Sequence, residues 1–185
     1  MTRSLTILGA TGSIGDSTLD LIRRNRDAWR VDVLTANGNV DKLAALAREF
    51  GASLAVCGDE GCLPDLREAL AGSGIDAAGG GGAPVGAAPR PGEMAGAALV
   101  GCAGLPPVMA AAERGGTIAL ANKEALVAAG DVLMAAARQG GATLLPTDSE
   151  HNAIFQCLAG NNIEHVRSIT LTASGGPLRT WSMEQ

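Results

Sequence analysis

A chain of 185 residues with 46% apolar residues can bury one sizeable core, and with only 2% aromatics that core must be built from Ala, Val, Leu and Ile. A net charge of −5 without any lysine or arginine block argues against nucleic acid and acidic membrane surfaces as partners. No apolar run approaches the roughly 20 residues of a membrane span, and "MTRSLTILGATG" is too short and too glycine-interrupted for a signal peptide, so the expected location is the cytoplasm.

Short apolar runs alternate with helix-like segments. "SLTILG" predicts a strand, and "SIGDSTLDLIRRNRDAW" a helix with Ile14, Leu19, Leu21 and Ile22 near helical spacing. "VDVLTA" and "VDKLAALAREF" repeat the strand and helix, as do "SLAVC" and "CLPDLREALAGS". "AALVGC" and "TIALA" predict two further strands, separated by "PPVMAAAERGG", a helix opened by prolines and closed by glycines. "KEALVAAGDVLMAAARQGG" predicts another helix and "ATLLP" the last strand of the set. Such alternation means βαβ units: an α/β fold, a Rossmann-type doubly wound parallel sheet with right-handed crossovers.

Residues 77–93, "AAGGGGAPVGAAPRPGE", interrupt this rhythm and read as a flexible surface loop. The four cysteines, Cys57, Cys62, Cys102 and Cys157, form no C-x-x-C pair and match no zinc spacing; Cys57 and Cys102 end apolar runs and read as small core residues. After "TDSEHNAIFQCLAG" the pattern changes to a strand-like "VRSITLTAS" and then "GGPLRTWSMEQ". This divides the chain into a cofactor-binding domain over residues 1–147 and, over 148–185, the opening of an α+β domain too small to bury a core alone.

Four places carry chemistry. "TILGATGSIG" sets Gly9, Gly12 and Gly15 at a strand-to-helix junction, where glycine permits a tight turn and a close backbone approach to a pyrophosphate at the helix N-terminus. Thr11 and Ser13 add hydroxyls there, although a ligand-free structural turn would use glycines too. The end of the second strand, "LTANGNV", lacks the acidic residue expected of an NAD site, since Asp32 comes too early; Asn37, Gly38 and Asn39, with Lys42 near, favour NADP, or simply make a good turn. Asn122, Lys123 and Glu124 follow a buried strand, where ligands of open α/β sheets bind; the alternative is a helix start with Asn122 as N-cap.

Asp148 and Glu150 are two apart, so in an extended segment they face one side and repel unless a cation or proton lies between them. Oxygen donors suit Mg²⁺ or Mn²⁺, with a further carboxylate supplied elsewhere and His151 a nearby donor. The competing reading is an N-capped helix beginning at Asp148. "LTASGGPLR" places Ser174 beside consecutive glycine N–H groups, a phosphate cradle or a plain turn.

Together, "TILGATGSIG", "ALANKEALV", "LLPTDSEHNAIFQ" and "TASGGPLR" resemble the 1-deoxy-D-xylulose 5-phosphate reductoisomerase family over essentially the whole chain, with "STLDLI" and "GCAGLPPVMAA" fitting the same pattern. The resemblance implies that Thr11, Gly12, Ser13, Ile14, Asn37, Gly38, Asn39, Asn122 and Glu124 bind NADPH. It also implies that Lys123, Ser149, Glu150 and Ser174 meet a sugar-phosphate substrate, that Asp148 and Glu150 ligate Mg²⁺ or Mn²⁺, and that Lys123 and Glu150 are catalytic. The implied reaction rearranges 1-deoxy-D-xylulose 5-phosphate and reduces the resulting aldehyde with NADPH, giving 2-C-methyl-D-erythritol 4-phosphate for isoprenoid synthesis by the non-mevalonate route.

Members of that family are longer. Beyond the region matching "SGGPLR" they carry a lid, further phosphate-binding residues, a third metal carboxylate and a helical domain. The expectation is therefore a piece that does not turn over by itself, from an enzyme that is a homodimer when whole. The alternatives are a non-catalytic NADP-binding module and a different NADP-dependent dehydrogenase, such as a homoserine-dehydrogenase-like enzyme.

Overall fold

The computed structural model describes residues 2–90, 92–171 and 180–182. The chain divides into two compact units, Met1–Leu145 and Pro146–Gln185.

The first unit alternates strands and helices in the order β1 (Arg3–Leu8), α1 (Ser13–Arg23), β2 (Trp29–Ala36), α2 (Val40–Phe50), β3 (Leu54–Cys57), α3 (Leu63–Ala69), β4 (Asp76–Gly79), α4 (Ala83–Ala87), β5 (Met94–Ala97), α5 (Leu105–Arg114), β6 (Gly116–Leu120) and α6 (Lys123–Gly140). β7 (Ala142–Pro146) ends at the boundary. The seven strands lie in the order β4-β3-β2-β1-β5-β6-β7. β1 pairs with β2 and with β5, and both ladders are parallel. The chain thus winds outward from β1 in one direction through β4, then returns to the other side of β1 at β5. This is the doubly wound parallel sheet implied by the alternating pattern. The strand order reverses between β1 and β5, so a crevice opens at their carboxyl ends.

The sheet is covered on both faces, which is why β2 is buried from Val31 through Ala36 instead of alternating. On one side, Ile7, Leu34 and Ala55 pack with Leu19 of α1, Leu43 of α2 and Leu66 of α3. Leu8, Ala95 and Ile118 pack with Val108 of α5 and Leu133 of α6. Burying each large aliphatic side chain contributes about 1.5–3 kcal/mol.

Helix ends follow local chemistry. α1 buries Gly15, Leu19 and Ile22 at spacings of four and three, then stops at Arg23, short of the predicted Trp29. Asn25 takes the Leu21 carbonyl with its side chain at 3.0 Å, and no apolar residue extends the stripe. α2 starts on Asn39 and ends on Gly51 in the left-handed region. α6 is kinked at Ala129.

Several expectations need correction. Residues 77–93 are not a loop: they contain most of β4 and all of α4. Their small residues allow close packing. A Cβ on Gly79 would lie 2.8 Å from Leu63 Cβ and 2.9 Å from Cys57 Sγ, and Ala87 packs on Val33 and Val56 across the sheet. The fifth strand is Met94–Ala97, not "AALVGC"; pairing with β1 overrides the weak strand propensity of "MAGA", and Ala98 N–H makes the last rung to Leu8 O at 2.8 Å. Cys57 is buried as expected, and burial pushes its thiol up, with Cys62 adding to the effect. Cys102, expected in the core, is exposed because it belongs to a 3-10 turn, Cys102–Gly104, beyond β5.

The second unit holds α7 (Ser149–Leu158) and a 3-10 turn at Ile163–His165. The predicted strand from Val166 has no ladder among the described residues: 166–171 are assigned to no strand. Ile169 and Leu171 are exposed, and a strand exists only where another pairs with it.

Candidate functional site

The turn between β1 and α1 is anchored from two sides. Gly9 N–H donates to Thr35 Oγ1 at 3.0 Å and Ala10 N–H to Thr35 O at 2.7 Å, tying the turn to β2. The three glycines do different work. Gly9 has φ +87°, and a Cβ there would lie 2.8 Å from the Ala98 carbonyl oxygen. A Cβ on Gly15 would lie 2.4 Å from the Ala10 carbonyl, so this glycine lets α1 pack against the turn itself. Gly12 is the N-cap of α1 and is exposed; a Cβ would meet no atom nearer than 3.6 Å, so its bareness serves the open side. No side chain caps α1, which leaves its first-turn N–H groups for a ligand. Thr11 is half-buried, Ser13 exposed, and Ile14 shows an apolar side chain that is 42% exposed at this helix start.

Asn37, Gly38 and Asn39 follow β2 directly and are exposed. Asn39 Oδ1 accepts the Lys42 N–H at 3.2 Å, capping α2. The Lys42 amine crosses to the glycine-rich turn, donating to Thr11 O at 3.1 Å and to Asp16 Oδ2 at 2.7 Å. The structure therefore brings the two turns together through Thr35 and Lys42. Asp32 is in the middle of β2, four residues before its carboxyl end, and accepts from Ser53 Oγ at 2.7 Å.

Asn122 occupies the N-cap position of α6, but its side chain caps nothing. The alternative reading, a side-chain N-cap, is not what the residue does. Its Nδ2 faces Leu99 O at 3.1 Å, Gly101 O at 3.0 Å and Glu124 Oε2 at 3.2 Å. Three acceptors around one nitrogen fix the amide's orientation. The residue is fully buried, and its Oδ1 has no hydrogen-bond partner among the described residues. An orphaned buried acceptor costs about 1–3 kcal/mol, a cost that a ligand donor or water would relieve. Lys123 is exposed beside it.

A cavity of about 510 Å³ opens at the carboxyl ends of β2, β3 and β5, lined by neither the glycine-rich turn nor Asn122. Thr35 and Asn37 line it from β2, Gly58 from β3, Leu99 and Val100 after β5, and Pro106 from α5. Sequence reasoning did not single out Leu99, Val100 or Pro106. The signal was there: "GCAGLPP" is a second glycine-containing strand-to-helix turn, placed on β5 as the first is on β1. Its mixed polar and apolar walls suit a small-molecule ligand.

In the second unit, Asp148 and Glu150 are not paired along an extended segment. Asp148 is the N-cap of α7, with Oδ1 accepting the His151 N–H at 3.1 Å and lying 2.7 Å from His151 Nδ1. Glu150 stands in the first helical turn, where an acid is favourable next to the helix dipole. The helix-start reading thus describes the backbone, and it leaves two hard carboxylate donors within three residues. Among the described residues, no group of three or more His, Cys, Asp or Glu is arranged to hold a metal ion. Ser149 is exposed; Ser174 lies outside the described residues. No helix among the described residues is long and apolar enough to cross a membrane.

Comparison with known proteins places these features in context. The family model for 1-deoxy-D-xylulose 5-phosphate reductoisomerase matches residues 5–130, and the model for that enzyme's C-terminal domain matches 144–185. The reductoisomerase of Bradyrhizobium sp. (strain ORS 278) is 54% identical over 180 residues, covering 97% of this chain and 44% of the relative. That of Cereibacter sphaeroides (strain ATCC 17025) is 55% identical, covering 99% and 47%. The chain spans about half the length of the curated relatives it matches. Among solved structures, the Zymomonas mobilis reductoisomerase in complex with NADPH superposes with a TM-score of 0.93 at 54% identity, covering 98% of this chain and 48% of that one. A reductoisomerase bound to NADPH, fosmidomycin and magnesium superposes at 0.89 with 42% identity, covering 99% and 48%.

Proposed function

The chain belongs to the 1-deoxy-D-xylulose 5-phosphate reductoisomerase family, and from that premise we propose that it supplies the NADPH site and the first metal ligands of an enzyme converting 1-deoxy-D-xylulose 5-phosphate to 2-C-methyl-D-erythritol 4-phosphate. The observation that carries the cofactor reading is the glycine turn: Gly9, Gly12 and Gly15 divide the turn, the close approach and the helix packing among them, as a dinucleotide cradle requires. Residues 1–147 form the cofactor domain and 148–185 open the catalytic domain. The whole enzyme acts as a cytoplasmic homodimer.

NADPH supplies the hydride when bound, and Mg²⁺ or Mn²⁺ a Lewis acid. The chain's own residues bind and orient. Thr11 and Ser13 present hydroxyls and Ser13 and Ile14 N–H groups to the pyrophosphate, Gly12 lets it approach the backbone, and Asn37, Gly38 and Asn39 receive the adenosine end. Asn122, locked to Leu99 and Gly101, and its bonded neighbour Glu124 serve the cofactor, and Asn122 Oδ1, without a partner among the described residues, is an acceptor in reserve. Lys123 extends an exposed ammonium to substrate oxygen. Asp148 and Glu150 offer oxygens of the kind hard cations take, and Ser149, Glu150 and Ser174 meet the substrate.

The test joins residues 1–185 to the remainder of the Zymomonas mobilis relative. Given NADPH, Mn²⁺ and 1-deoxy-D-xylulose 5-phosphate, the chimera should consume NADPH and lose that activity on Glu150→Gln. The chain by itself should leave the nicotinamide absorbance unchanged. A folded chimera that binds NADPH but turns over no substrate contradicts the proposal.

A further inference from the structure

We propose that Lys42 selects the 2′-phosphorylated dinucleotide over its unphosphorylated counterpart, an inference that rests on the cofactor reading above and adds the residue that sets cofactor choice. In a sheet of this kind the adenosine ribose meets the carboxyl end of β2, where a carboxylate holds a free 2′-hydroxyl and a cation accommodates a 2′-phosphate. Here that end reads Ala36-Asn37-Gly38-Asn39 and brings no ionised side chain. Asp32, in the middle of the strand and buried, accepts from Ser53 Oγ. Asp59, just past β3, touches the turn only through its N–H on Asn37 O at 3.1 Å; its carboxylate folds back onto Gly61 N–H at 2.9 Å.

Lys42 is differently placed. Its own N–H is fixed on Asn39 Oδ1, so its stem rises from the turn that receives the ribose. Its amine stops between that turn and the glycine-rich one, on Thr11 O and Asp16 Oδ2. Both partners of the ion pair remain open to water, at 35% and 52% side-chain exposure for Lys42 and Asp16. Such a pair is screened and worth little, so the ammonium is held in place at small cost to any exchange. A phosphate monoester of charge near −2 offers several acceptor oxygens and outcompetes one solvated carboxylate for it. Ammonium carries three donors, so the bond to Thr11 O persists while Asp16 is exchanged for phosphate.

A lysine that merely braced α1 against α2 would affect both dinucleotides alike, and this separates the two roles. NADPH and NADH are titrated separately into the chain and into Lys42→Met, Lys42→Arg and Asp16→Asn, following nicotinamide fluorescence, with thermal melting as the control for folding. Lys42→Met should weaken NADPH roughly 10- to 100-fold and NADH by less than about threefold, whereas Lys42→Arg should keep most of the preference. Asp16→Asn, which removes the competing carboxylate, should leave the preference for NADPH equal or greater. An unchanged NADPH-to-NADH ratio in Lys42→Met, or equal losses of both, overturns the assignment and leaves the cofactor site standing. Absence of saturable binding of either dinucleotide to the unmodified chain instead overturns the cofactor reading and this inference with it.

Discussion

The glycine-rich turn and the acidic segment each sit where a strand gives way to a helix, yet they are held in opposite ways. The turn at residues 9–15 is pinned by backbone bonds to β2 and by buried neighbours, with Ala10 and Leu19 fully inaccessible. The segment at 148–158 relies on local bonds: the Asp148 cap, the pairing with His151 and Asn152 Nδ2 on Pro146 O at 2.7 Å. No residue of α7 is buried. A preformed cradle gives up little conformational freedom when it binds, whereas a helix with no buried residue opens more readily than the sheet.

Substitutions can break this contrast, and the largest effects belong to the pinned turn. Gly15→Val drives a side chain into the Ala10 carbonyl, with even the Cβ only 2.4 Å away. It should cost about 3 kcal/mol or more in urea unfolding, at the upper end of overpacking penalties. A variant that unfolds like the parent would show that α1 is free to shift. Asn122→Leu keeps the volume but strips the Leu99 and Gly101 carbonyls of their donor, and a loss of about 2 kcal/mol is expected from the same measurement.

The acidic segment should respond locally. Asp148→Ala removes the α7 cap, worth about 1 kcal/mol, and hydrogen exchange should quicken across 149–158 without moving the unfolding of the sheet. Asp148→Asn sharpens the result, since Asn caps as well as Asp but is a poorer metal ligand. It should restore exchange protection and still lose Mn²⁺ affinity in the chimera. If Asn recovers both, the cap alone explains the residue.

The smallest effect concerns Glu49. Its bidentate bond from Arg23, at 2.5 and 2.7 Å, and the charge of Arg26 hold its carboxyl below the usual carboxylate range. A depressed folded pKa contributes stability above the unfolded value, near pH 4.3, and the contribution is lost as pH falls through the folded one. Both side chains are more than a third exposed, so Glu49→Gln should cost only about 0.5 kcal/mol at pH 7, with the difference vanishing in acid. A gap that persists at pH 3 would point to packing against Phe50 instead.

The order of strands and helices was legible because a buried parallel sheet writes each strand as a short apolar run and each helix as a 3.6-residue stripe. The first turn was legible because its glycines are needed one by one. What misled was smallness. "AAGGGG" and "MAGA" look like linkers, yet bare or methyl-only positions are what allow β4 and β5 to pack so closely, and only their neighbours reveal it. Asn122 was flagged as a ligand-binding residue with capping as the alternative, and its side chain does not cap. Its bonds run to carbonyls more than 20 residues away, which no local pattern announces. Asp148 and Glu150 were visible as a pair, but whether they lay on a strand or a helix start depended on the cap to His151.

We propose that the first unit is a working dinucleotide site. Titrating NADPH into the chain, its Gly12→Val variant and Asp148→Asn tests it most directly. Saturable one-to-one binding by the chain and by Asp148→Asn, with affinity lost in a folded Gly12→Val, is the predicted result. Binding that ignores the Gly12 substitution, or no binding by the chain at all, would contradict it.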